Sequence, residues 1–236
     1  MRGRGGVGVV AVQRVLAVLA GALVLAAPAS AHPPLVATDD AAVLARGDCE
    51  LEAGHEWLRE SGLRGRAQTL GLGCGVGAAT QAGLAWTRAR GALEASDGLD
   101  LAGKTALGQS GATALALGWG LGWQRPAAGS LRQQSAALAL LATRPLGSAL
   151  TLHLNAGAAQ ERGDRTRATW ALAAEAATGF GVDLTVETFG ERGRRPGQAL
   201  GLRWPLGERL QAHGALARQS GADAAWALSA GFVLGF

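Results

Sequence analysis

Ionisable and amide side chains recur at every second position in segments whose other residues are small or apolar. Glu50 and Glu52 flank Leu51, and the same spacing recurs in Leu-His-Leu-Asn at 152–155. Because successive side chains of a β-strand point to opposite faces, this spacing gathers the polar groups on one face. Lining a passage, such groups select solutes by charge; otherwise they form a solvated or mutually paired interior, and both readings stay open. The candidate lining residues are Glu50, Glu52, Glu56, Asp100, Lys104, His153, Asn155, Glu175, Asp183, Glu187, Arg203 and His213.

Three of these candidates predict a charge filter. Glu50 and Glu52 lie on the first predicted strand, and Lys104, the only lysine of the chain, enters from the fourth. We expect all three to lie near one rim and to form an acid–base constriction. Two carboxylates against one ammonium group leave a net negative charge, which favours the passage of cations.

The residue types that enzyme chemistry needs are present but are not clustered. The serines fall in predicted turns or loops, or lack a histidine on a neighbouring strand, as a nucleophilic Ser–His pair requires. No set of His, Cys, Asp and Glu has the spacing of a metal site. The glycine-rich stretch GLGCGVG (71–77) lies within a strand pattern and is not followed by a helix, unlike a phosphate-binding loop. We therefore expect no enzyme activity, no metal and no cofactor.

The elements that carry these side chains show a period of two residues. LALGWGLGW (115–123) places leucines and tryptophans on one parity, and alanine and glycines on the other. An amphipathic helix would need apolar spacings of three and four. Each glycine inside a helix would also cost about 1 kcal/mol relative to alanine, and the chain has 37 glycines. The pattern therefore predicts strands.

About twelve segments show this alternation, with large apolar residues on one face and small or polar residues on the other. In lipid every backbone N–H and C=O must be paired, so such a sheet has to close on itself. The sequence thus predicts an all-β fold, a closed antiparallel transmembrane β-barrel of about 12 strands, with ten as the fallback. The predicted segments are 48–59, 66–77, 80–89, 98–108, 112–124, 131–142, 149–161, 167–177, 181–189, 197–204, 208–218 and 224–236.

The seven tryptophans all fall on the apolar parity. Tryptophan is enriched where a transmembrane barrel meets the membrane–water interface. We therefore expect outward orientation for Trp57, Trp86, Trp119, Trp123, Trp170, Trp204 and Trp226.

The connections between predicted strands are of two kinds. Those after even strands are tight, as in GQSG (108–111) and PLGE (205–208). Those after odd strands are longer and more charged, as in RARGALEASDG (88–98) and GERGRRPG (190–197). Short turns at one end and longer loops at the other are typical of outer-membrane barrels, and an even strand count places both termini on the periplasmic side.

Residues 1–31 have the features of a secretory signal peptide. Three arginines precede a short apolar run at 15–27, which is followed by Ala29-Ser30-Ala31. The run is shorter than the roughly 20 residues that a membrane-spanning helix needs. We expect Sec-type export and cleavage after Ala31. This would leave an N-terminal segment at 32–47, which stays in the periplasm or enters the lumen and partly occludes it, and a barrel at 48–236.

Cleavage at this site changes the charge balance. It removes three of the 22 basic residues, so 19 basic and 18 acidic residues remain. No basic cluster with interleaved aromatic residues appears, which argues against a nucleic-acid partner.

Cys49 and Cys74 are the two cysteines of a chain bound for an oxidising compartment. If Ser61 and Gly62 form a two-residue turn, the two positions are equidistant from it and lie opposite each other on neighbouring strands. We expect a disulfide near the periplasmic end; two free buried thiols are the alternative.

The chain ends on WALSAGFVLGF, an alternation finished by an aromatic residue. This stretch resembles the C-terminal signal of bacterial outer-membrane proteins. The resemblance implies an outer-membrane location, contact with the lipid bilayer, and recognition by the barrel-assembly machinery through strand addition. The signal residues would be Trp226, Leu228, Phe232, Leu234 and Phe236.

Two further stretches resemble the outer-membrane transporter family named after the MetA pathway of phenol degradation. They are Thr38-Asp39-Asp40-Ala41 with Gly47 and Leu51-Glu52, and the strand LHLNAG (152–157). The resemblance implies a barrel with a transport role.

The expected function is a channel or transporter for a small solute that the sequence does not identify. Many small residues fall on the inward parity, for example Ala116, Gly118 and Gly120, and they favour open space over a packed interior. A closed structural or adhesion barrel and an outer-membrane enzyme are the alternatives.

Overall fold

The computed structural model describes residues 37–91, 95–127, 129–219 and 225–236, which form twelve β-strands and no helix. The predicted signal peptide at 1–31 and residues 32–36 of the predicted N-terminal segment lie outside the described residues. No described helix has the length and hydropathy needed to cross a membrane. The strands are β1 (Cys49–Glu60), β2 (Leu63–Gly75), β3 (Thr80–Gly91), β4 (Ala95–Ser110), β5 (Thr113–Pro126), β6 (Arg132–Pro145), β7 (Leu150–Glu161), β8 (Arg167–Ala177), β9 (Asp183–Glu191), β10 (Gly197–Pro205), β11 (Leu210–Gln219) and β12 (Ala225–Gly235).

Each strand pairs antiparallel with its sequence neighbours, and β1 pairs with β12 to close the ring. At the seam the Cys49 N–H donates to the Phe236 carbonyl and the Phe236 N–H donates to the Cys49 carbonyl, both at 2.9 Å. Closure leaves no open sheet edge. The prediction of a closed antiparallel barrel with twelve strands is confirmed.

The alternation in the sequence separates the two faces of the wall. Leu115, Leu117 and Leu121 lie on the outward parity of β5, whereas Ala116 and Gly120 are buried on the inward parity. All seven tryptophans lie on the outward parity, and Trp204 and Trp57 are among the most exposed. Small inward residues also let larger neighbours lie across them: a Cβ on Gly197 would come within 2.6 Å of the Phe189 ring.

The barrel has two rims. The terminal rim is the end at which β1 begins, β12 ends and the connections after even strands turn. The distal rim is the opposite end. The first hairpin turns at the distal rim through Ser61 and Gly62, both with positive φ, so β2 begins at Leu63, three residues before the predicted start.

The predicted difference in loop length between the two ends is wrong. The distal connections run from two residues (61–62) to five (192–196), and the terminal ones from two (111–112) to five (178–182). The stretch at 88–98, read from its charges as a loop, is mostly strand, because β3 continues to Gly91 and β4 starts at Ala95. Charged side chains on the outward face of a strand near a rim are solvated by water. Charge in the sequence at that position therefore does not mark a loop. The two ends differ in charge and not in length.

The predicted disulfide is present and joins Cys49 to Cys74. The two residues are register partners of β1 and β2, as their equal distance from the turn requires. They lie on the outward parity at the terminal rim. Beside them, the Gly47 N–H donates to the Gly75 carbonyl and the Gly75 N–H donates to the Asp48 carbonyl, so the chain enters the wall at a fixed point.

Candidate functional site

Lys104 is the centre of a buried polar cluster inside the barrel. It stands on the inward parity of β4, and its side chain is fully buried. Its Nζ donates to Asp39 Oδ1 at 2.9 Å, to Asp40 Oδ1 at 3.0 Å and to the Asp40 carbonyl at 3.1 Å. These three bonds use all the donors of the ammonium group. Lys104 therefore pairs with the N-terminal segment, and not with Glu50 and Glu52 as the sequence-based hypothesis of a constriction had it.

The described part of the N-terminal segment, residues 37–45, runs along the inner wall. Its backbone amides donate to inward side chains of three strands. The N–H groups of Ala37 and Thr38 bond Glu187 Oε2 on β9 at 3.2 and 3.0 Å. The Ala41 N–H bonds Thr143 Oγ1 on β6 at 2.9 Å, and the Leu44 N–H bonds Gln81 Oε1 on β3 at 2.8 Å. These contacts satisfy an extended backbone that pairs with no strand over this stretch.

Asn155 on β7 recognises the same segment at Asp39. With its amide oriented to satisfy both groups, it donates to the Asp39 carbonyl at 2.8 Å and accepts from the Asp39 N–H at 2.6 Å. Ala41 packs in a small apolar cluster with Ala116, Ala139 and Leu141. Leu141 is fully buried on the inward face, although leucines elsewhere in the barrel point mostly outward. Five strands thus contribute a polar contact to the segment, and β5 and β6 contribute the apolar ones.

A second inward chain of polar groups starts at Thr143. Its Oγ1 lies 3.0 Å from Nδ1 of His153, which is fully buried on β7. The Thr143 hydroxyl also accepts from the Ala41 N–H, and the tautomer of His153 sets which group donates in the bond between the hydroxyl and the imidazole. His153 Nε2 lies 3.5 Å from Glu175 Oε2, just beyond a direct hydrogen bond. Glu175 in turn pairs with Arg203.

Arg203 ends this chain of polar groups near the terminal rim. It bonds Asp183, its register partner on the neighbouring strand, as well as Glu175. The five residues from Thr143 to Asp183 therefore link strands β6 to β10. His153, Glu175, Asp183 and Arg203 were chosen as single lining candidates, and the structure brings them together.

The remaining candidates lie on the inward parity of β1, β4 and β11. Glu50 is buried, and Glu52, Glu56 and Asp100 are half-buried. The inward face between them carries mostly glycines and alanines on β2 and β3, so the acidic groups dominate the charge on this side of the interior. His213 lies across Gly231, where a Cβ would be 2.5 Å from its Nε2.

Sequence reasoning did not assign a role to four residues of the site. Asp39 and Asp40 appeared only in a family resemblance, and Thr143 and Gln81 were not named. Thr143 shares the parity of Leu141, and Gln81 that of Gly83, so a full parity count would have placed both inside. Nothing in strand periodicity could place the aspartates, because the N-terminal segment is not a strand.

Burial changes the proton affinity of the segment. Desolvation, with a smaller contribution from the neighbouring Asp40 carboxylate, raises the pKa of Asp39 from 3.8 to about 6 against the attraction of Lys104. The buried Asp39 carboxylate thus binds a proton more readily than one in water. No group of three or more His, Cys, Asp and Glu in the described part of the chain is arranged to hold a metal ion.

The fold is similar to solved outer-membrane barrels. The KdgM porin, solved in complex with disordered oligogalacturonate, has a TM-score of 0.62 at 10% identity, covering 79% of this chain and 99% of that one. The COG4313 outer membrane channel from Pseudomonas putida F1 has a TM-score of 0.57 at 11% identity, covering 84% and 97%. The translocator domain of autotransporter NalP from Neisseria meningitidis has a TM-score of 0.55 at 11% identity, covering 96% of both chains. At such identities the likeness concerns the fold.

No curated protein matches the sequence. The resemblance to the transporter family named after the MetA pathway stays a prediction. A family described as "Uncharacterised conserved protein UCP029691" matches residues 19–233, which is most of the chain. The protein therefore belongs to that family.

Proposed function

We propose that the protein is an outer-membrane channel for small solutes whose lumen is occupied, in the described state, by residues 37–45. The main support for this proposal is that side chains of the wall hold the segment, which is not itself a strand of the wall. The wall closes through β1 and β12 without it. Its removal would leave the barrel hydrogen bonds intact and would vacate the space beside Lys104.

Two features of the interior support a passage. Inward glycines and alanines keep the wall thin on β2, β3, β5 and β8. A cavity of about 70 Å³ lies on the distal side of Ala37, and its lining reaches Asp164, Arg165 and Glu191 at the distal rim. That volume holds about two waters at their liquid density. The interior therefore continues from the segment toward the distal rim.

The proposed solute class follows from the charges beside the segment. Glu50, Glu52, Glu56 and Asp100 project inward from β1 and β4. With the segment released, Lys104 would be the one cation among them on these two strands. A passage with this lining favours small cations or neutral polar solutes over anions.

A closed structural barrel is the second candidate, and the filled lumen favours it. Lys104 is fully buried and Ala41 packs among apolar residues, as in a permanent interior. The test is planar-bilayer conductance of the refolded protein with residues 37–45 present and with them deleted. The channel proposal expects low conductance for the intact chain and a stable increase after deletion. If both proteins fold to heat-resistant barrels and neither conducts ions, the result would favour the closed structural role.

A further inference from the structure

Arginines gather on the outer face of the barrel near the distal rim. Seven exposed arginines on the outward parity of β1, β2, β3, β5 and β11 form what we call the basic band. Six of the seven come from β1, β2, β3 and β5, so the band is one-sided. Its members are Arg59, Arg64, Arg66, Arg88, Arg90, Arg125 and Arg218.

The register of the sheet sets like charges against each other in this band. Arg59 is the direct partner of Arg64, and Arg66 is the direct partner of Arg90. Like charges at directly opposed positions destabilise a sheet. An anion placed between the two arginines of such a pair would relieve this repulsion.

Acidic side chains neutralise only part of the band. Asp97 bonds Arg88 at 3.0 Å and Arg125 at 2.8 Å. Among the described residues, no ion pair neutralises the other five arginines. Their positive charge is therefore available to a ligand.

Aromatic rings border the band on its membrane side. Arg218 lies over the ring of Trp226 at 5.0 Å, and Arg88 lies over that of Trp86 at 5.2 Å. These rings hold the guanidinium groups at the surface while leaving N–H donors at their edges. A tryptophan beside an arginine is suited to the boundary between apolar chains and polar headgroups.

A groove on the same outer face continues from the band. It is an open depression of about 690 Å³ that runs across β7 to β12. Its polar end, formed by Thr188, Gln198 and Arg218, lies toward the distal rim, and its other part is lined by Leu172, Val186, Leu200 and Leu216. One register row connects the two features: Thr188, Gln198, Arg218, Trp226, Arg59 and Arg64 are successive partners from β9 to β2.

We propose that the basic band and this groove bind a membrane lipid with a terminal phosphate. Guanidinium groups of Arg59, Arg64 and Arg218 bond the phosphate oxygens, and an acyl chain occupies the apolar part of the groove. Arginine matches phosphate geometry with two parallel N–H donors, and such charge-assisted bonds are stronger than neutral ones. A soluble anion would satisfy the arginines but would leave the adjoining groove empty. The inference rests on the membrane location in the proposed function but not on an open lumen.

The experiment is native mass spectrometry of the refolded protein in a neutral detergent, titrated with dioleoyl phosphatidic acid. Dioleoylglycerol tests the acyl chains without phosphate, and inorganic phosphate tests the anion without chains. We expect retention of phosphatidic acid, little retention of dioleoylglycerol, and weak competition by inorganic phosphate. Arg59→Gln with Arg64→Gln should weaken retention by about tenfold, since two charge-assisted bonding partners are lost.

A matched control uses Arg192→Gln with Arg195→Gln, because these arginines are exposed in a distal connection but lie outside the band. The control should retain phosphatidic acid as the unsubstituted protein does. Heat-modified gel mobility verifies that both variants fold. Equal retention of the two lipids, an equal loss in the control, or complete displacement by inorganic phosphate would overturn the proposal. None of these readouts depends on conductance, so a failed channel proposal leaves the result interpretable.

Discussion

Asp40 Oδ1 lies 3.0 Å from Lys104 Nζ, although 64 positions separate the two residues in the sequence. Both side chains are buried, and a buried ion pair that loses one partner leaves an uncompensated charge. The pair therefore couples the position of the N-terminal segment to the barrel wall.

Replacing Lys104 by methionine should release the segment. Asp39 and Asp40 would then lose the Lys104 ammonium group, at a cost of about 3–5 kcal/mol by analogy with other broken buried pairs. We expect conductance in planar bilayers to rise toward that of the protein lacking residues 37–45. Arg209→Gln, at an exposed terminal-rim position, is the control and should leave conductance unchanged. If the Lys104→Met protein shows no increase in conductance, Lys104 is not the group that holds the segment in the lumen.

Acid should hold the segment in place. Because the pKa of Asp39 is about 6 with the segment docked and 3.8 in its ordinary state, docking takes up a proton between these values. The stability of docking is thus fully present below pH 3.8 and is lost as the pH rises through about 6. Conductance should increase over that interval and then level off.

Asp39→Asn tests the origin of this dependence. The amide cannot titrate, so the variant should show a flat profile from pH 4 to 7. Glu208→Gln, at an exposed position outside the lumen, should keep the slope of the unsubstituted protein. A slope that persists in Asp39→Asn would assign the proton to another group, with Asp40 the first to examine.

The acidic residues of β1 should set ion preference once the segment is gone. In the protein lacking residues 37–45, Glu50→Gln with Glu52→Gln removes two inward carboxylates. We expect the reversal potential in a salt gradient to move toward zero, because cations lose their preference. Identical reversal potentials with and without the carboxylates would show that these groups do not face the conducting path.

The disulfide should stabilise the first hairpin. Cys49 and Cys74 are 25 residues apart, and in the chain-entropy account closing such a loop contributes about 3.5 kcal/mol. Cys49→Ser with Cys74→Ser should lower the denaturant midpoint of refolded barrels, and reductant should do the same to the unsubstituted protein alone. Reductant that lowers the midpoint of the double variant too would point to a non-specific effect.

Phe236 should matter more for assembly in cells than for the finished barrel. The residue is exposed on the outer face at the seam, and its ring adds little packing there. Phe236→Ala should lower the yield of membrane-inserted protein while refolding in detergent proceeds unchanged. Phe180→Ala, which removes an exposed aromatic from a terminal-rim turn, should leave the yield as it was. Equal losses in both variants would remove the case for a C-terminal signal.

Strand periodicity was enough to predict the barrel, because each face of a strand meets one environment over its whole length. The Cys49–Cys74 pair followed from the register once the turn at Ser61-Gly62 was placed. The lengths of the connections could not be predicted in this way, because charged residues near a rim are compatible with a strand as well as with a loop. The partners of Lys104 could not be predicted either: Asp39 and Asp40 come from a stretch without periodicity, and only its three-dimensional path brings them to β4.

The fixed point at which the N-terminal segment joins the wall has one more consequence. Gly47, Gly75 and the neighbouring disulfide hold the chain there whether or not Lys104 is engaged. A released segment is therefore tethered beside its own receptor groups. Short tethers give effective concentrations on the order of millimolar, so re-docking is a unimolecular event that dilution does not slow. Opening and closing would then behave as a property of each single molecule, independent of how many barrels a membrane contains.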